Sequence, residues 1–229
     1  MPVPSAGTTS LAAVNDLVSF LRWRAGAPEG DDLLGADLAA DPGRLAAVVT
    51  ATGEGRGSDD PQVLGSLWWQ AYTYRVAGTV LAAWLLGGTA PDASAPGTGV
   101  GVARHRPSSL LLDPAAAELS SLADVVDRLF AGHLDGVAAA LKERHAIGTQ
   151  LLWGNAAASI AGVFGAVATA EGAPPLRDRV DEITAALPHG IGDLGAWHAG
   201  TWSYRRLTCC LWWKTTASDG AMCEDCSLR

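Results

Sequence analysis

Lysine is nearly missing from this chain: of 16 basic residues, 14 are Arg and 2 are Lys. Positive charge is short overall, with a net charge of −8 and a pI near 5.0. That balance argues against non-specific nucleic-acid binding, which needs cations to displace counterions. Cysteine is scarce too. All four lie between positions 209 and 226, too few and too bunched to staple a disulfide scaffold. No Walker or GxSxG motif occurs. GTGVGV, at Gly97 to Val102, reads GxGxG and lacks the strand–helix frame of a dinucleotide site. With no nucleotide or flavin motif, electrons for any redox step must come from a separate donor. Met1 to Gly7, MPVPSAG, has no basic or apolar run, so no secretory signal is expected and the location expected is cytoplasmic.

Long hydrophobic runs are few. Leu151 to Ala170 is uncharged and long enough for a bilayer. It is rich in Ala and contains Asn155 and Ser159, so the expectation is a buried core helix and no integral membrane span. Hydrophobic residues make up 48% of the chain, which excludes disorder. The length suits one domain or slightly more.

Hydrophobic periodicity predicts a mainly α fold with a small β-hairpin. Helices are expected over Ser10–Ala25, around Arg44–Ala51, from Pro61 to Leu86, from Asp113-Pro114 onward, over Ile147–Ala170 and over Leu176–Leu187. GEGRGSDD, residues 53–60, reads as a flexible stretch, and Pro174-Pro175 as a break. Val100, Val102 and Leu110–Leu112 suggest two strands around HRPSS. The division expected is a helical body over 1–200, holding the substrate surface, and a cysteine segment over 201–229.

The chemistry concentrates in that segment. Cys209-Cys210 is followed, after twelve residues, by Cys223-x-x-Cys226. In a reducing compartment, four nearby thiols suggest metal ligands. A structural zinc site usually pairs two C-x-x-C knuckles. Adjacent cysteines diverge in an extended segment, which suits a [2Fe–2S] cluster with two thiolates per iron. Zinc in an interaction module stays open as an alternative. So does a cluster that serves only as an electron carrier or sensor. The segment carries four cationic and three acidic residues, against 12 and 21 in the rest. Arg205 and Arg206 precede the first pair and would favour a reduced, more negative centre. Trp212 and Trp213 would limit water access.

Tyr204-Arg205-Arg206-Leu207-Thr208-Cys209-Cys210-Leu211-Trp212, ending in Cys223-Glu224-Asp225-Cys226, resembles the C-terminal signature of FhuF-type ferric-siderophore reductases. Leu152-Trp153-Gly154-Asn155 and the aromatic helix SLWWQAYTYRVAG, Ser66 to Gly78, resemble the family as well. The spacer between the cysteine pairs is longer than the family pattern, which a surface loop absorbs cheaply. The resemblance implies that Cys209, Cys210, Cys223 and Cys226 hold a [2Fe–2S] cluster. It also implies one-electron reduction of a ferric siderophore, expected to be of hydroxamate type, with iron released as Fe(II).

Other residues are weighed against plainer roles. His133 lies on an apolar helical stripe and reads as a hydrogen-bonded core residue. His189 and His198 flank a Gly-rich loop near the cysteines. Trp68, Trp69, Trp153 and Trp202 read as core. Asn155 needs buried partners or a place beside the site. Arg104, His105 and Arg106 read as a solvated hairpin tip.

Overall fold

The computed structural model describes residues 6–170, 175–198 and 200–229. The leader expectation at Met1–Ser5 and Pro174 of the predicted break fall outside them. The chain opens with α1 (Ala6–Leu17), whose Leu11 and Val14 are fully buried. The helix stops earlier than its periodicity predicted, because Trp23–Ala25 forms strand β1 beside a later strand. Strand β2 (Leu33–Leu34) leads into α2 (Gly35–Ala40) and α3 (Pro42–Ala51). Asp41 caps α3 by accepting the Arg44 amide at 2.9 Å, and Pro42 supplies a first turn that needs no N–H.

The expected long helix from Pro61 is present, built as α4 (Pro61–Thr73), a π turn (Tyr74–Gly78) and α5 (Thr79–Gly87). Asp60 caps it through the Gln62 amide, and Gly88 ends it at φ 70°. Then come β3 (Ala90–Pro91), β4 (Thr98–Ala103), β5 (Arg106–Leu112) and β6 (Glu118–Leu119). The predicted hairpin is β4–β5. It belongs to a four-stranded sheet in the order β1-β5-β4-β2, with β1 parallel to β5. Strands of two or three residues carry too little alternation to be read in sequence.

The next helix does not start at Asp113-Pro114. The Asp113 carboxylate accepts the Ala115 amide in a turn, Leu119 pairs with Ala90, and Ser121 caps α6 (Leu122–Leu129). A second π turn, Phe130–Leu134, joins α6 to α7 (Asp135–His145). The last helices are α8 (Thr149–Thr169) and α9 (Arg177–Ala186), and the hairpin β7 (Gly195–Trp197)–β8 (Tyr204–Arg206) follows.

Helix α8 is the centre of the core. It is long and apolar enough to cross a membrane, yet 78% of its most apolar window is buried inside the fold. It packs against α4 and the first π turn. Trp69 is fully buried, and its indole N–H donates to the Leu152 carbonyl at 2.8 Å. Each such large apolar side chain contributes about 1.5–3 kcal/mol on burial. His133 is the core residue its position predicted. Its Nδ1 donates to the Ala93 carbonyl at 2.8 Å, so Nε2 accepts from the Tyr72 hydroxyl at 2.6 Å.

Candidate metal centre and its cavity

The β7–β8 hairpin lays Tyr204–Arg206 along α8, and the chain then turns under α4. Val63 and Leu67 of α4 form a small apolar cluster with Cys210, against which Leu211, Trp212 and Cys223 pack. Two glycines let this segment approach closely. A Cβ on Gly154 of α8 would collide with the Thr208 hydroxyl. A Cβ on Gly57 would collide with that of Thr216, and Gly57 also needs φ +63°. Within residues 53–60, read above as flexible, Arg56 and Gly57 are tied to the C-terminal segment. The Arg56 and Gly57 carbonyls accept the Ala217 and Thr216 amides at 3.2 and 3.3 Å.

A buried polar network fixes the register of both cysteine pairs. The Ser66 hydroxyl donates to the Cys210 carbonyl at 2.8 Å and accepts from Asn155 Nδ2 at 2.8 Å. Asn155 Oδ1 accepts from Arg206 at 3.1 Å. Arg206 is 2% exposed, and its Nε donates to Asp225 at 2.6 Å while a second nitrogen pairs with the same carboxylate oxygen. The Arg206 amide also donates to the Asp225 carbonyl. Asn155 and Arg206 thus join α8 to the loop between Cys223 and Cys226. Arg205 points elsewhere: it is exposed and donates to the Arg229 carbonyl. The two neighbouring arginines have different roles.

All four thiols are free. Cys210 Sγ and Cys223 Sγ stand 3.4 Å apart, one from each pair. Cys209 Sγ and Cys226 Sγ each accept an amide two residues on, from Leu211 and Leu228, at 3.4 Å. The Cys210 and Cys223 thiols are within hydrogen-bonding distance. Their hydrogen bond, then Arg206 and the Trp212 amide, lowers the Cys210 pKa, while Cys223, which keeps the proton, is pushed up. Burial raises Cys209; the Leu211 amide and the Trp213 side chain oppose this. Among the described residues no three His, Cys, Asp or Glu side chains converge as a mononuclear site requires. Four free thiols, two of them 3.4 Å apart across the motif and beside a buried guanidinium, are a donor set that could hold a metal centre.

Beside the thiols lies a cavity of about 410 Å³ whose wall includes Cys210, Cys223, Trp212, Tyr74, Arg75 and Arg56. The π turn carries Tyr74 and Arg75 onto that wall, and single π turns recur at functional sites. Arg56 is 8% exposed. Burial, then the nearby Arg106 charge, lowers its pKa to about 10, so it stays charged at neutral pH. A second hollow of about 590 Å³ shares Gln70 and Tyr74 but is lined by Glu224 and Asp225 as well as Arg206.

Of the other sequence candidates, Trp213 reaches the Cys209 thiol, and the rest are engaged elsewhere. His189 stacks on Trp153 with ring centres 4.0 Å apart and bonds Asp135 at 2.8 Å. His198 pairs through its backbone with Ser203 in the β7–β8 turn. Trp68, Trp69 and Trp153 are buried, whereas Trp202 is half-buried under Arg177. Trp213 stands 42% exposed, whereas Trp212 is part-buried against Val63, Leu67 and Cys210. Arg104 and His105 form an exposed turn, with His105 near Glu54. Sequence reasoning missed Arg56, Ser66, Asp225 and Gly57. An Arg between two glycines in an otherwise acidic loop was the one available sign of Arg56.

A family model described as "Ferric iron reductase FhuF-like transporter" matches residues 66–187, just over half of the chain. The match takes in Ser66, the cavity wall of α4 and its π turn, and Gly154-Asn155, and it ends before the cysteines. No curated protein matches the chain significantly.

Proposed function

The chain belongs to the FhuF-like ferric iron reductase family, and from that premise we propose that it reduces ferric iron held in a siderophore, using a [2Fe–2S] cluster ligated by Cys209, Cys210, Cys223 and Cys226. The observation that carries this reading is the shared wall: Cys210 and Cys223 line the same cavity as Arg56, Tyr74 and Arg75. A cluster bound there would supply single electrons to the iron of a chelate in the cavity. Ferric iron is the substrate, and a hard-oxygen chelator holds it far less tightly once it is ferrous. The protein's residues then have three tasks. The thiolates would hold the metal, Arg206 and the Trp212 amide would offset their negative charge, and the cavity would bring the chelate within reach. No protein acid or base is needed for the release.

Electrons come from a separate donor protein in the cytoplasm, where thiols are kept reduced. Four of the five large apolar side chains exposed among the described residues, Leu207, Trp213, Met222 and Leu228, surround the cysteine segment. Such a rim suits transient contact with a donor. The test is to reduce the protein anaerobically and add a ferric siderophore and its redox-inert gallium analogue in parallel. The reading predicts reoxidation, and one Fe(II) per electron, with the ferric complex only. Reduced protein that is indifferent to ferric siderophores would favour a carrier or sensor instead.

A further inference from the structure

We propose that the cavity selects ferric chelates of net negative charge, of the catecholate or hydroxycarboxylate class, over cationic or neutral hydroxamate complexes, with Arg56 and Arg75 binding the anionic oxygens. This rests on the reductase reading and departs from its expected hydroxamate substrate.

Charge is the first argument. The protein is acidic overall at −8, yet two guanidinium groups and no carboxylate line this cavity. Arg106 and Arg22 add positive charge close to Arg56 and Arg75 respectively. Partnering is the second. Arg56 is more than nine-tenths buried, its Nε has no hydrogen-bond partner, and among the described residues no carboxylate pairs with it. An unpaired buried charge is costly, and an anion entering the cavity removes that cost. Arg75 spends one nitrogen on the Phe20 carbonyl at 2.5 Å and lies 5.4 Å from the Tyr74 ring centre, which leaves the rest of its fork free. Tyr74 and Trp212 add flat walls suited to aromatic chelate rings. The neighbouring hollow sets Glu224 and Asp225 against a single Arg206, itself paired with Asp225, and so offers no excess of positive charge. The volume of about 410 Å³ is within the usual range of small-molecule sites. A competing role for Arg56 is to offset the thiolates, since Cys210 lies within its electrostatic reach.

Gallium complexes separate these roles, because they bind without accepting electrons. Calorimetry on the full-length protein with its metal centre would compare a trianionic gallium complex of a hexadentate tris-catechol with monocationic gallium desferrioxamine B. The tris-catecholate should bind about tenfold tighter or more, and added salt should weaken it. Arg56→Gln should cost about tenfold and Arg75→Gln about threefold, with Arg56→Lys largely retaining affinity. If Arg56→Gln does not fold, Arg75→Gln decides. Equal or tighter binding of the hydroxamate complex overturns the proposal. So does tris-catecholate affinity unchanged by both Gln substitutions, which would leave Arg56 serving the thiolates. If neither gallium complex binds while ferric chelates still reoxidise the reduced protein, the charge selection falls and the reductase stands. If the tris-catecholate binds as predicted but no ferric chelate is reduced, the reductase reading falls while the anion site stands.

Discussion

Arg206→Met removes the side chain that ties the cysteine segment to the helical core. The substitution keeps volume and burial but deletes the bond to Asn155 at 3.1 Å and the paired contacts to Asp225. Breaking a buried ion pair costs about 3–5 kcal/mol. Asp225 is 26% exposed and recovers some hydration, which lowers that figure. Asn155 Oδ1 is left unpaired in a fully buried position, adding about 1 kcal/mol or more. The net expectation is about 3 kcal/mol. Because α8 and α4 have their own core, the loss should appear as local opening of the segment rather than global unfolding. Cys210 and Cys226 are each 2% exposed, so their alkylation reports that opening. In the metal-free, reduced protein, alkylation of both should accelerate about 100-fold, as 1.4 kcal/mol corresponds to tenfold. Arg205→Met, on an exposed arginine, should change the rates by less than about threefold. Alkylation at wild-type rates in Arg206→Met would refute the network as the anchor.

Three further outcomes follow from the packing. Gly154→Ala drives a methyl into Thr208 and should weaken the docked segment by about 1–3 kcal/mol, read by the same alkylation assay. Gly162→Ala, on the same helix but only in ordinary contact with Tyr74, should be neutral or stabilise by up to about 1 kcal/mol in urea titration. His133 is buried, which lowers its pKa from 6.5 to about 4. The folded protein therefore resists protonation that the unfolded chain accepts. The stability from keeping this His neutral is whole above pH 6.5 and falls by about 3 kcal/mol as the pH drops to about 4. Urea titrations from pH 7.5 to 4 should show that fall, and His133→Gln should flatten it.

The long elements were legible because their signals repeat. Helix α8 announced itself by an uncharged apolar run, and the continuous α4–α5 helix by Asp60-Pro61 at its start and Gly87-Gly88 at its end. The four cysteines stood out because no other Cys exists in the chain. The short strands β1 and β2 were not legible, since two or three residues show no period. The end of α1 failed for the same reason: the strand that interrupts it is specified by β5, far along the chain. Arg56 and Ser66 were invisible because their roles come from contacts with residues about 150 positions away, Ala217 and Cys210. Asn155 was recognisable as a polar residue in an apolar helix, but only the fold supplies Ser66 and Arg206 as its partners.

The central claim is that four thiolates at the end of an acidic helical protein hold a two-iron cluster at the wall of a chelate cavity. Iron and acid-labile sulfide analysis with a visible spectrum, on anaerobically purified protein, tests it most directly. The account predicts about two irons and two sulfides per chain, a reddish-brown colour that bleaches on reduction, and loss or alteration of that spectrum when any of Cys209, Cys210, Cys223 or Cys226 is changed to Ser while helical circular dichroism is kept. A colourless protein carrying one zinc per chain and no sulfide would contradict it.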